Sequence, residues 1–325
     1  MTEHFLTEIQ IKAFKCFENF EANHLKRVNL ISGKNNIGKT AFLEACYLHV
    51  SSFGGIQQFA AAIFSVLHKR NLSISTNILN KIVPFHLSSN LKEINFDLSF
   101  AGTGLIDRSY QFKLMGKQQK ESLPQIVKEE LFLNLAGSAS LIYNNPIKFI
   151  KMGFYDKQNL LEAFYKLQEK DKEDELNRFI HEFDNSIEVF KVIGDKLRCK
   201  VNGSYQDIED VGDGLLSYLG IICYLYAAEN SYLFLDEIEN GIHYSHHDRL
   251  WHIIFTLSKQ VNCQVFITTH SKEIVESFNR VALEMQEQEI NYISLVRDKN
   301  KQLKAFTLDN EMLAFSIKQE HEIRL

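Results

Sequence analysis

The sequence predicts an α/β protein in which a mixed β-sheet lies between layers of helices. Two apolar runs, residues 232–235 and 264–268, lack the alternation of a half-exposed strand, which indicates strands covered on both faces. A third run, residues 28–31, leads directly into a glycine-flanked loop and then into residues 41–48, which are rich in helix formers. A strand, a glycine loop and a helix in that order are typical of an α/β sheet.

The composition of the chain argues against several classes of protein. The 325 residues include 36 Lys and Arg against 41 Asp and Glu, a net charge of −5, which argues against a surface coated with basic residues for nucleic acid. The longest apolar run, residues 215–228, contains serine, glycine and tyrosines and is typical of a buried helix rather than a membrane span. Five cysteines without a close pair predict reduced thiols. The first ten residues lack a basic start followed by an apolar stretch, so we do not expect a secretory signal. We therefore expect a cytoplasmic protein without a membrane segment.

Further elements follow in chain order, with no repeat or linker that would divide the chain. They are strands within 5–20 joined by a loop at 14–17, an amphipathic helix at 55–70, a hairpin of 93–100 with 108–114, one helix over 156–183, short strands within 187–208, strands at 291–296 and 303–307, and a final helix toward Arg324. The charge run at 169–175 is interpreted as the solvated face of the long helix.

The glycine loop carries the most specific motif. Residues 33–40, GKNNIGKT, match G-x-x-x-x-G-K-[ST], in which backbone N–H groups and a helix N-terminus surround phosphate oxygens. Lys39 is predicted beside the β- and γ-phosphates, and the Thr40 hydroxyl is predicted to bind Mg²⁺. The motif therefore predicts a nucleoside triphosphate and Mg²⁺ as cofactors, and the family resemblance described below implies that the nucleotide is ATP. The nucleotide-binding residues predicted from the motif are Asn35, Asn36, Ile37, Gly38, Lys39 and Thr40.

Polar residues end the two later strands. Asp236 ends the apolar run 232–235 at the place where a phosphate loop needs a carboxylate for its metal, and is predicted as a metal ligand with Thr40. Glu237 directly follows and is predicted to orient or deprotonate the attacking water. His270 follows the next strand and is predicted to contact the γ-phosphate. Glu237 and His270 are thus the candidate catalytic residues.

These motifs together resemble a known family. GKNNIGKT, the strand YLFLDE followed by IENGIH, and the histidine of FITTHS resemble the ABC-type P-loop ATPase heads of the RecF, SMC and OLD group, in particular the stand-alone OLD-like ATPases of bacterial anti-phage systems. The opening residues 11–40 and the closing EHEIRL are also similar to that group.

The resemblance implies a domain organisation. It implies one ABC-ATPase head over residues 1–325, a P-loop NTPase fold with an inserted helical and β lobe. The expected parts are a first lobe from 1–50 and 230–325, an insertion at 51–190, and a lobe carrying the signature loop at 191–229.

The resemblance also implies an ATP sandwich, a head-to-tail homodimer or a higher oligomer built from it. Gly212, Asp213 and Gly214 are the expected signature loop, which would contact the nucleotide of the other subunit. The family usually has serine where Gly212 stands and arginine or glutamine where Ser217 stands, so weak or partner-dependent hydrolysis is expected. Lys15 matches the position of a basic residue near the γ-phosphate in relatives.

Two features of the sequence allow more than one interpretation. For the family's glutamine loop, the candidates Gln57, Gln58 and Asn144 are not distinguished by the sequence. The histidines at 243, 246 and 247 have helical i, i+3, i+4 spacing, which we interpret as polar packing, with a metal site as the alternative.

For function, the leading hypothesis is an ATP-dependent switch or sensor in anti-phage defence with a separately encoded effector, a toprim-type nuclease being favoured. Only 55 residues (325 − 270) follow His270, too few for the nuclease domain that OLD relatives carry, so the nuclease is expected on another chain. The alternative is a RecF-like repair clamp that binds DNA. A membrane transporter motor fits poorly, because no transporter-type signature is present. The local basic face for DNA would consist of Lys191, Lys196, Arg198 and Lys200.

Overall fold

The computed structural model describes residues 5–69, 85–101, 109–120, 123–134, 147–153 and 157–318. Its strands are β1 (Glu8–Phe14), β2 (Phe17–Asn23), β3 (Val28–Ser32), β4 (Phe85–Ser89), β5 (Lys92–Ala101), β6 (Ser109–Lys120), β7 (Leu123–Asn134), β8 (Lys148–Lys151), β9 (Ile187–Ile193), β10 (Lys196–Val201), β11 (Ser204–Asp207), β12 (Tyr232–Asp236), β13 (Gln264–Thr268), β14 (Ile290–Arg297) and β15 (Leu303–Leu308). Its helices are α1 (Lys39–Ser51), α2 (Ile56–Lys69), α3 (Lys157–Gln168), α4 (Glu173–Phe183), α5 (Ile208–Val211), α6 (Asp213–Ala227), α7 (His247–Gln260), α8 (Lys272–Glu284) and α9 (Asn310–Lys318).

The central sheet has six strands within the described ranges, in the order β15-β14-β3-β13-β12-β8. From β14 to β8 the strands run parallel, and β15 is antiparallel to β14 at one edge. β3, β12 and β13 are buried along their whole length, which is why their sequences do not alternate. The mixed sheet predicted from the sequence is therefore observed.

Hydrophobic cores cover both faces of this sheet. Along β12, Leu233 and Leu235 belong to the core that contains α3, α4, α6, α7 and α8, whereas Phe234 belongs to the core that contains α1, α2, β1 and β2. Trp251 of α7 is fully buried in the first core and donates its indole N–H to the Ile274 carbonyl at 3.2 Å. Because both faces are covered, functional side chains must lie at the ends of the strands.

Two antiparallel sheets accompany the central one in the described residues. The larger has the order β2-β1-β4-β5-β6-β7, and the smaller has the order β11-β10-β9. The predicted hairpin of 93–100 with 108–114 is observed as β5 paired with β6. The five cysteines are free thiols, as predicted. None of the described helices is long and apolar enough to cross a membrane.

The single helix predicted over 156–183 is wrong, because the chain forms two helices, α3 and α4. After α3 the Glu169 and Asp171 N–H groups bond to carbonyls three or four residues earlier, and Asp171 adopts a left-handed φ of 52°. Leu160 of α3 and Ile180 of α4 are both buried in the same core. One straight helix could not turn both apolar faces onto α6, so the charged segment 169–172 forms a turn instead.

Part of the expected insertion 51–190 belongs to the central sheet. β8 pairs in parallel with β12 and places the Lys151 Cα opposite that of Asp236. β4, from the same range, pairs with β1 of the expected first lobe. The lobe boundaries stay a prediction. Asn144, the terminal EHEIRL and the end of the predicted last helix lie outside the described residues.

Candidate nucleotide-binding site

The phosphate loop follows β3 and begins α1. Gly38 precedes α1 with a φ of 117°, and no side chain caps the first turn of the helix. Ile37 is buried under the loop, whereas Asn35 and Asn36 are exposed on it. The Lys39 ammonium folds over the loop and donates to the carbonyls of residues 33 and 34 at 2.7 and 3.0 Å. The helix N-terminus and the lysine thus meet at the point where the motif predicts phosphates.

Thr40 and Asp236 are in direct contact, although they lie 196 positions apart in the chain. The Thr40 hydroxyl donates to the Asp236 carboxylate at 3.0 and 3.1 Å from its two oxygens. The Thr268 hydroxyl, from the end of β13, donates to Asp236 Oδ1 at 2.6 Å. The ends of β3, β12 and β13 therefore converge at one edge of the sheet.

The electrostatics of this edge fit a divalent cation. Asp236 is only 3% exposed, and burial raises the pKa of its carboxyl group, as do the nearby carboxylates of Glu237 and Glu44, while the Thr268 and Thr40 hydrogen bonds act in the opposite direction. A cation between these groups would offset the repulsion. Within the described ranges no group of three His, Cys, Asp or Glu side chains could hold a metal. One carboxylate and one hydroxyl are nevertheless a sufficient protein contribution for Mg²⁺ bound beside phosphates.

Glu237 has an unusual backbone and two side-chain neighbours. Its φ of 58° is left-handed, a conformation that costs free energy for a residue with a side chain and is common at functional sites. Its N–H donates to the Thr268 hydroxyl at 2.9 Å. Its carboxylate accepts from the Asn240 side chain at 3.1 Å and lies 3.5 Å from the Lys151 ammonium. The carboxylate is 34% exposed, so it can meet water.

His270 lies two residues after Thr268, the last residue of β13. Its Nδ1 lies 2.6 Å from a carboxylate oxygen of Glu239, and its backbone N–H donates to the same oxygen. The side chain of His270 is 44% exposed. The structure therefore places Asp236, Glu237 and His270 at or just after the ends of neighbouring strands, with Thr40 beside Asp236 in the first turn of α1.

Lys15 lies in the turn between β1 and β2, with a left-handed φ of 53°. Its ammonium forms an ion pair with Glu44, a buried carboxylate one turn beyond Thr40 on α1. The neighbouring Cys16 packs against the phosphate loop, because a Cβ atom added at Gly38 would lie 2.8 Å from Cys16 Sγ. The turn is therefore packed against the loop, while contact of Lys15 with the γ-phosphate stays a prediction.

The expected signature residues begin α6 and pack beside the segment after β12. A Cβ atom at Gly214 would lie 3.1 Å from the Gly241 carbonyl, so the two segments are in close contact. Gly212 has a φ of 134°, and a Cβ atom there would meet nothing within 4 Å. Asp213 is exposed in the first turn of the helix. Their contact with a nucleotide stays a prediction.

Several contributors were missed by sequence reasoning. The glutamine-loop candidates Gln57 and Gln58 lie in α2, whereas the strand beside β12 ends in Lys151, which contacts Glu237. Glu44 and Glu239 are buried or mostly buried carboxylates at the same edge. The four-residue spacing from Thr40 to Glu44 indicates that both side chains lie on one face of the helix, so Glu44 could be predicted from the sequence. The four-residue strand β8 has no sequence pattern from which Lys151 could be predicted.

The proposed basic face for DNA is neutralised in part within the chain, because two carboxylates pair with three of its four cations. Lys196 and Arg198 form ion pairs with Asp207 at 3.1 and 2.9 Å, and Lys200 forms one with Glu188 at 2.9 Å. These pairs reduce the positive charge available to phosphates.

The three clustered histidines have separate contacts. His243 bonds to the Ser245 hydroxyl, and the ring of His246 stacks on that of Phe183. His247 is buried and its Nε2 lies 3.3 Å from the Ile242 carbonyl. Each side chain therefore packs in its own environment.

Sequence comparison identifies relatives of the chain. A family model described as "AAA ATPase domain" matches residues 68–275, more than half of the chain. The match includes Asp236, Glu237 and His270 and begins after the phosphate loop. A protein of Helicobacter pylori described as "ATP/GTP phosphatase" is 24% identical over 333 residues, covering 86% of this chain and 89% of that protein.

Solved SMC heads have a similar fold. The SMC head domain from Thermotoga maritima matches with a TM-score of 0.50 at 13% identity, covering 94% of this chain and 99% of that one. An Smc head bound to the C-winged helix domain of ScpA matches with a TM-score of 0.50 at 12% identity, covering 97% and 99%. At these identities the likeness shows the fold alone, and it confirms the predicted P-loop ATPase head with a mixed sheet flanked by helices.

Proposed function

The chain belongs to the AAA ATPase domain family and is a P-loop ATPase, and from this premise we propose that it is an ATP-dependent switch in which ATP and Mg²⁺ pair two copies head to tail. Hydrolysis then separates the copies. The observation that carries the proposal is the contact of Thr40 with Asp236, which joins the phosphate-loop helix to the end of β12.

Each residue at the edge has a role in this proposal. Lys39 binds the β- and γ-phosphates, and Thr40 and Asp236 hold Mg²⁺. The cation, when bound, neutralises charge on the phosphate oxygens. Glu237 orients the attacking water and accepts its proton, for which its partly exposed carboxylate is suited. His270 contacts the γ-phosphate and responds to its loss.

The pairing of two copies is supported by the N-terminus of α6. Gly212 allows the backbone to be approached closely, since nothing lies within 4 Å of the space that a Cβ would fill. The backbone N–H groups of a helix N-terminus attract anions, while the exposed Asp213 carboxylate in the same turn acts against this attraction. The α6 start of one copy and the phosphate loop of the other would then form one composite site.

Complementation between two variants tests this arrangement. Lys39→Ala disables a copy's own phosphate loop, and Asp213→Trp blocks the exposed start of α6 without changing the loop. In a mixture, half of the dimers would be mixed and each would hold one intact composite site, so ATPase activity should recover to about one quarter of that of the wild-type protein. Asp174→Trp, at the exposed first turn of α4, is the matched control and should retain full activity.

A mixture no more active than the sum of the two separate variants would contradict the head-to-tail dimer. Thermal melting of each variant should show that both remain folded.

The finer proposal is that the switch acts in anti-phage defence on a separately encoded effector, with a toprim-type nuclease favoured. The motif resemblance supports the defence role, and a solved SMC head of the same fold that is bound to a domain of another protein supports an effector on a separate chain. We expect the product of a neighbouring gene to co-purify with Glu237→Gln and not with Lys39→Ala. Equal phage plating with and without the gene would contradict the defence role.

A further inference from the structure

The loops that follow β12 and β13 are joined by a set of hydrogen bonds. The Ile238 N–H donates to the Thr268 carbonyl at 3.1 Å, and the Glu237 N–H donates to the Thr268 hydroxyl at 2.9 Å. Farther from the strands, the His270 N–H donates to Glu239 Oε1 at 2.7 Å. The two loops therefore form one unit, and Glu239 is its outermost link.

Glu239 holds His270 twice with the same oxygen. Its Oε1 accepts from the backbone N–H and lies 2.6 Å from the imidazole Nδ1. The Glu239 side chain is 11% exposed, against 44% for His270. Its second oxygen, Oε2, is buried and has no hydrogen-bond partner among the described residues. Most of this carboxylate is thus withdrawn from water, and its contacts are directed to one histidine.

The chemistry of this contact fixes the histidine. A carboxylate only accepts hydrogen bonds, so the Nδ1 atom must carry the proton between them. Nε2, on the opposite side of the ring, is then the nitrogen that meets a ligand. The bond to the backbone N–H restrains the main chain of the same residue. An unpaired oxygen in a mostly buried carboxylate costs stability, so packing alone does not explain a charged side chain here.

We propose that Glu239 is a positioning residue for His270: it fixes the tautomer and the orientation in which Nε2 contacts the terminal phosphate of the nucleotide. This inference rests on the proposed role of His270. Because Glu239 lies three residues after Asp236, it also ties the histidine to the metal-binding strand end. Movement of either loop is then transmitted to the other.

A double-mutant cycle tests the inference. Glu239→Gln keeps an oxygen acceptor but removes the charge, and Glu239→Ala removes both. We expect kcat to fall about tenfold for Glu239→Gln and further for Glu239→Ala, with ATP affinity changed less than about twofold. In the His270→Ala background, both changes should have no further effect on kcat, because Glu239 acts through the imidazole.

The cycle separates this inference from the proposed function. If His270→Ala turns over ATP normally, the role of His270 fails and the inference fails with it. If His270→Ala is impaired but Glu239→Gln is not, only the inference fails. Equal effects of Glu239→Gln in both backgrounds would also overturn it, since that is the behaviour of an unrelated structural residue. Glu276→Gln, on the helix after His270, is the matched control and should retain wild-type kcat.

A measurement on the wild-type protein avoids the risk that a variant fails to fold. In ¹⁵N spectra of histidine-labelled protein, with His270 assigned by comparison with His270→Ala, the neutral ring should carry its proton on Nδ1. A neutral ring protonated on Nε2 would overturn the inference.

Discussion

Two helices, α1 and α6, begin in the same way and differ in what lies opposite their first turns. Each follows a glycine with a positive φ, 117° at Gly38 and 134° at Gly212, and neither has a side-chain cap. At Gly38 the space of a Cβ is filled by Cys16 Sγ at 2.8 Å, whereas at Gly212 nothing lies within 4 Å. The start of α1 is thus packed against its own chain at the glycine, whereas the start of α6 is open at Gly212 and contacts its own chain one position into the helix, where Gly214 packs on the Gly241 carbonyl.

The difference suggests that the two helix starts have different roles. A helix start enclosed by its own chain can bind phosphate in a single copy, because Lys39, Thr40 and Asp236 already surround it. The start of α6 packs on one side against the segment of Gly241, and its open side at Gly212 becomes useful when a second molecule approaches. We therefore expect changes at α1 to affect nucleotide binding and changes at α6 to affect hydrolysis by the assembled dimer.

The largest effect is expected for Lys39→Ala. Removing the ammonium that lies over the loop should weaken ATP binding by about a hundredfold or more, because the phosphate charge is no longer neutralised. Asp213→Trp at α6 should leave ATP binding by the isolated copy within about twofold of wild type. Titration of a fluorescent ATP analogue at low protein concentration measures both. Comparable loss of binding in the two variants would remove the distinction between the helices.

Glu237→Gln should produce the next largest effect, on turnover rather than on binding. The amide keeps the shape of the side chain but cannot accept a proton from water, so we expect kcat to fall about a hundredfold with ATP affinity retained. If the open α6 start requires a second copy, ATP should then accumulate the dimer, which sedimentation can detect. Normal turnover would show that another group activates the water.

Replacing each of the two glycines with alanine compares the two helix starts through the loss of stability that each substitution causes. The positive φ at each glycine should cost alanine about 1–3 kcal/mol in the free energy of unfolding. At Gly38 the Cys16 sulfur should add a steric cost that Gly212 lacks. Urea unfolding measures both.

The excess cost at Gly38 should be reduced in Gly38→Ala combined with Cys16→Ala, with Cys16→Ala alone as the control. An unchanged cost of Gly38→Ala in the Cys16→Ala background would mean that the contact with Cys16 is unimportant.

A buried histidine near the C-terminal end of α1 predicts that the free energy of unfolding depends on pH, whereas the apolar α6 contains no histidine. His49 is fully buried with its Nε2 2.7 Å from the Ser89 hydroxyl, and burial, aided by Lys92 and His86, lowers the pKa of His49 from 6.5 to about 3. Below pH 6.5 the His49 imidazole is therefore protonated in the unfolded chain, whereas in the folded chain it stays neutral down to about pH 3. Stability should fall by about 1.4 kcal/mol per pH unit as the pH decreases toward about 3.

Urea unfolding of wild type and His49→Gln at several pH values measures this contribution as a difference in slope. His243→Gln, at an exposed histidine, should leave the slope unchanged. The same slope in wild type and His49→Gln would show that His49 does not titrate in this way.

Local patterns account for what the sequence could predict of this site. The phosphate loop, Asp236 and His270 each follow an apolar strand directly, so one short window contains both the strand and the residue that it positions. The break between α3 and α4 was missed because the spacing of apolar residues continues through it, and only packing of both helices on α6 reveals the turn. Glu239 and Lys151 act through contacts between different segments, which no single window contains.

Lys151 carries the smallest predicted effect. Its ammonium lies 3.5 Å from Glu237 Oε2, whereas Lys170 lies 2.6 Å from Glu229 Oε2 on the surface far along the chain from the phosphate loop. If distance alone decided importance, Lys170→Gln would have the larger effect. We expect the reverse for kcat. Lys151→Gln should lower it about threefold, because Glu237 loses a restraint on its orientation, while Lys170→Gln should change only stability, by less than about 1 kcal/mol.

Lys151→Arg should restore kcat, since the longer cation still reaches the carboxylate. Steady-state ATPase assays on these three variants decide the matter, and wild-type kcat in Lys151→Gln would exclude β8 from the catalytic edge. A reduced kcat with rescue by arginine would instead extend the site by one strand. The phosphate site at the start of α1 would then be built from four strand ends, those of β3, β12, β13 and β8. The open start of α6 would remain the part that a second copy must complete.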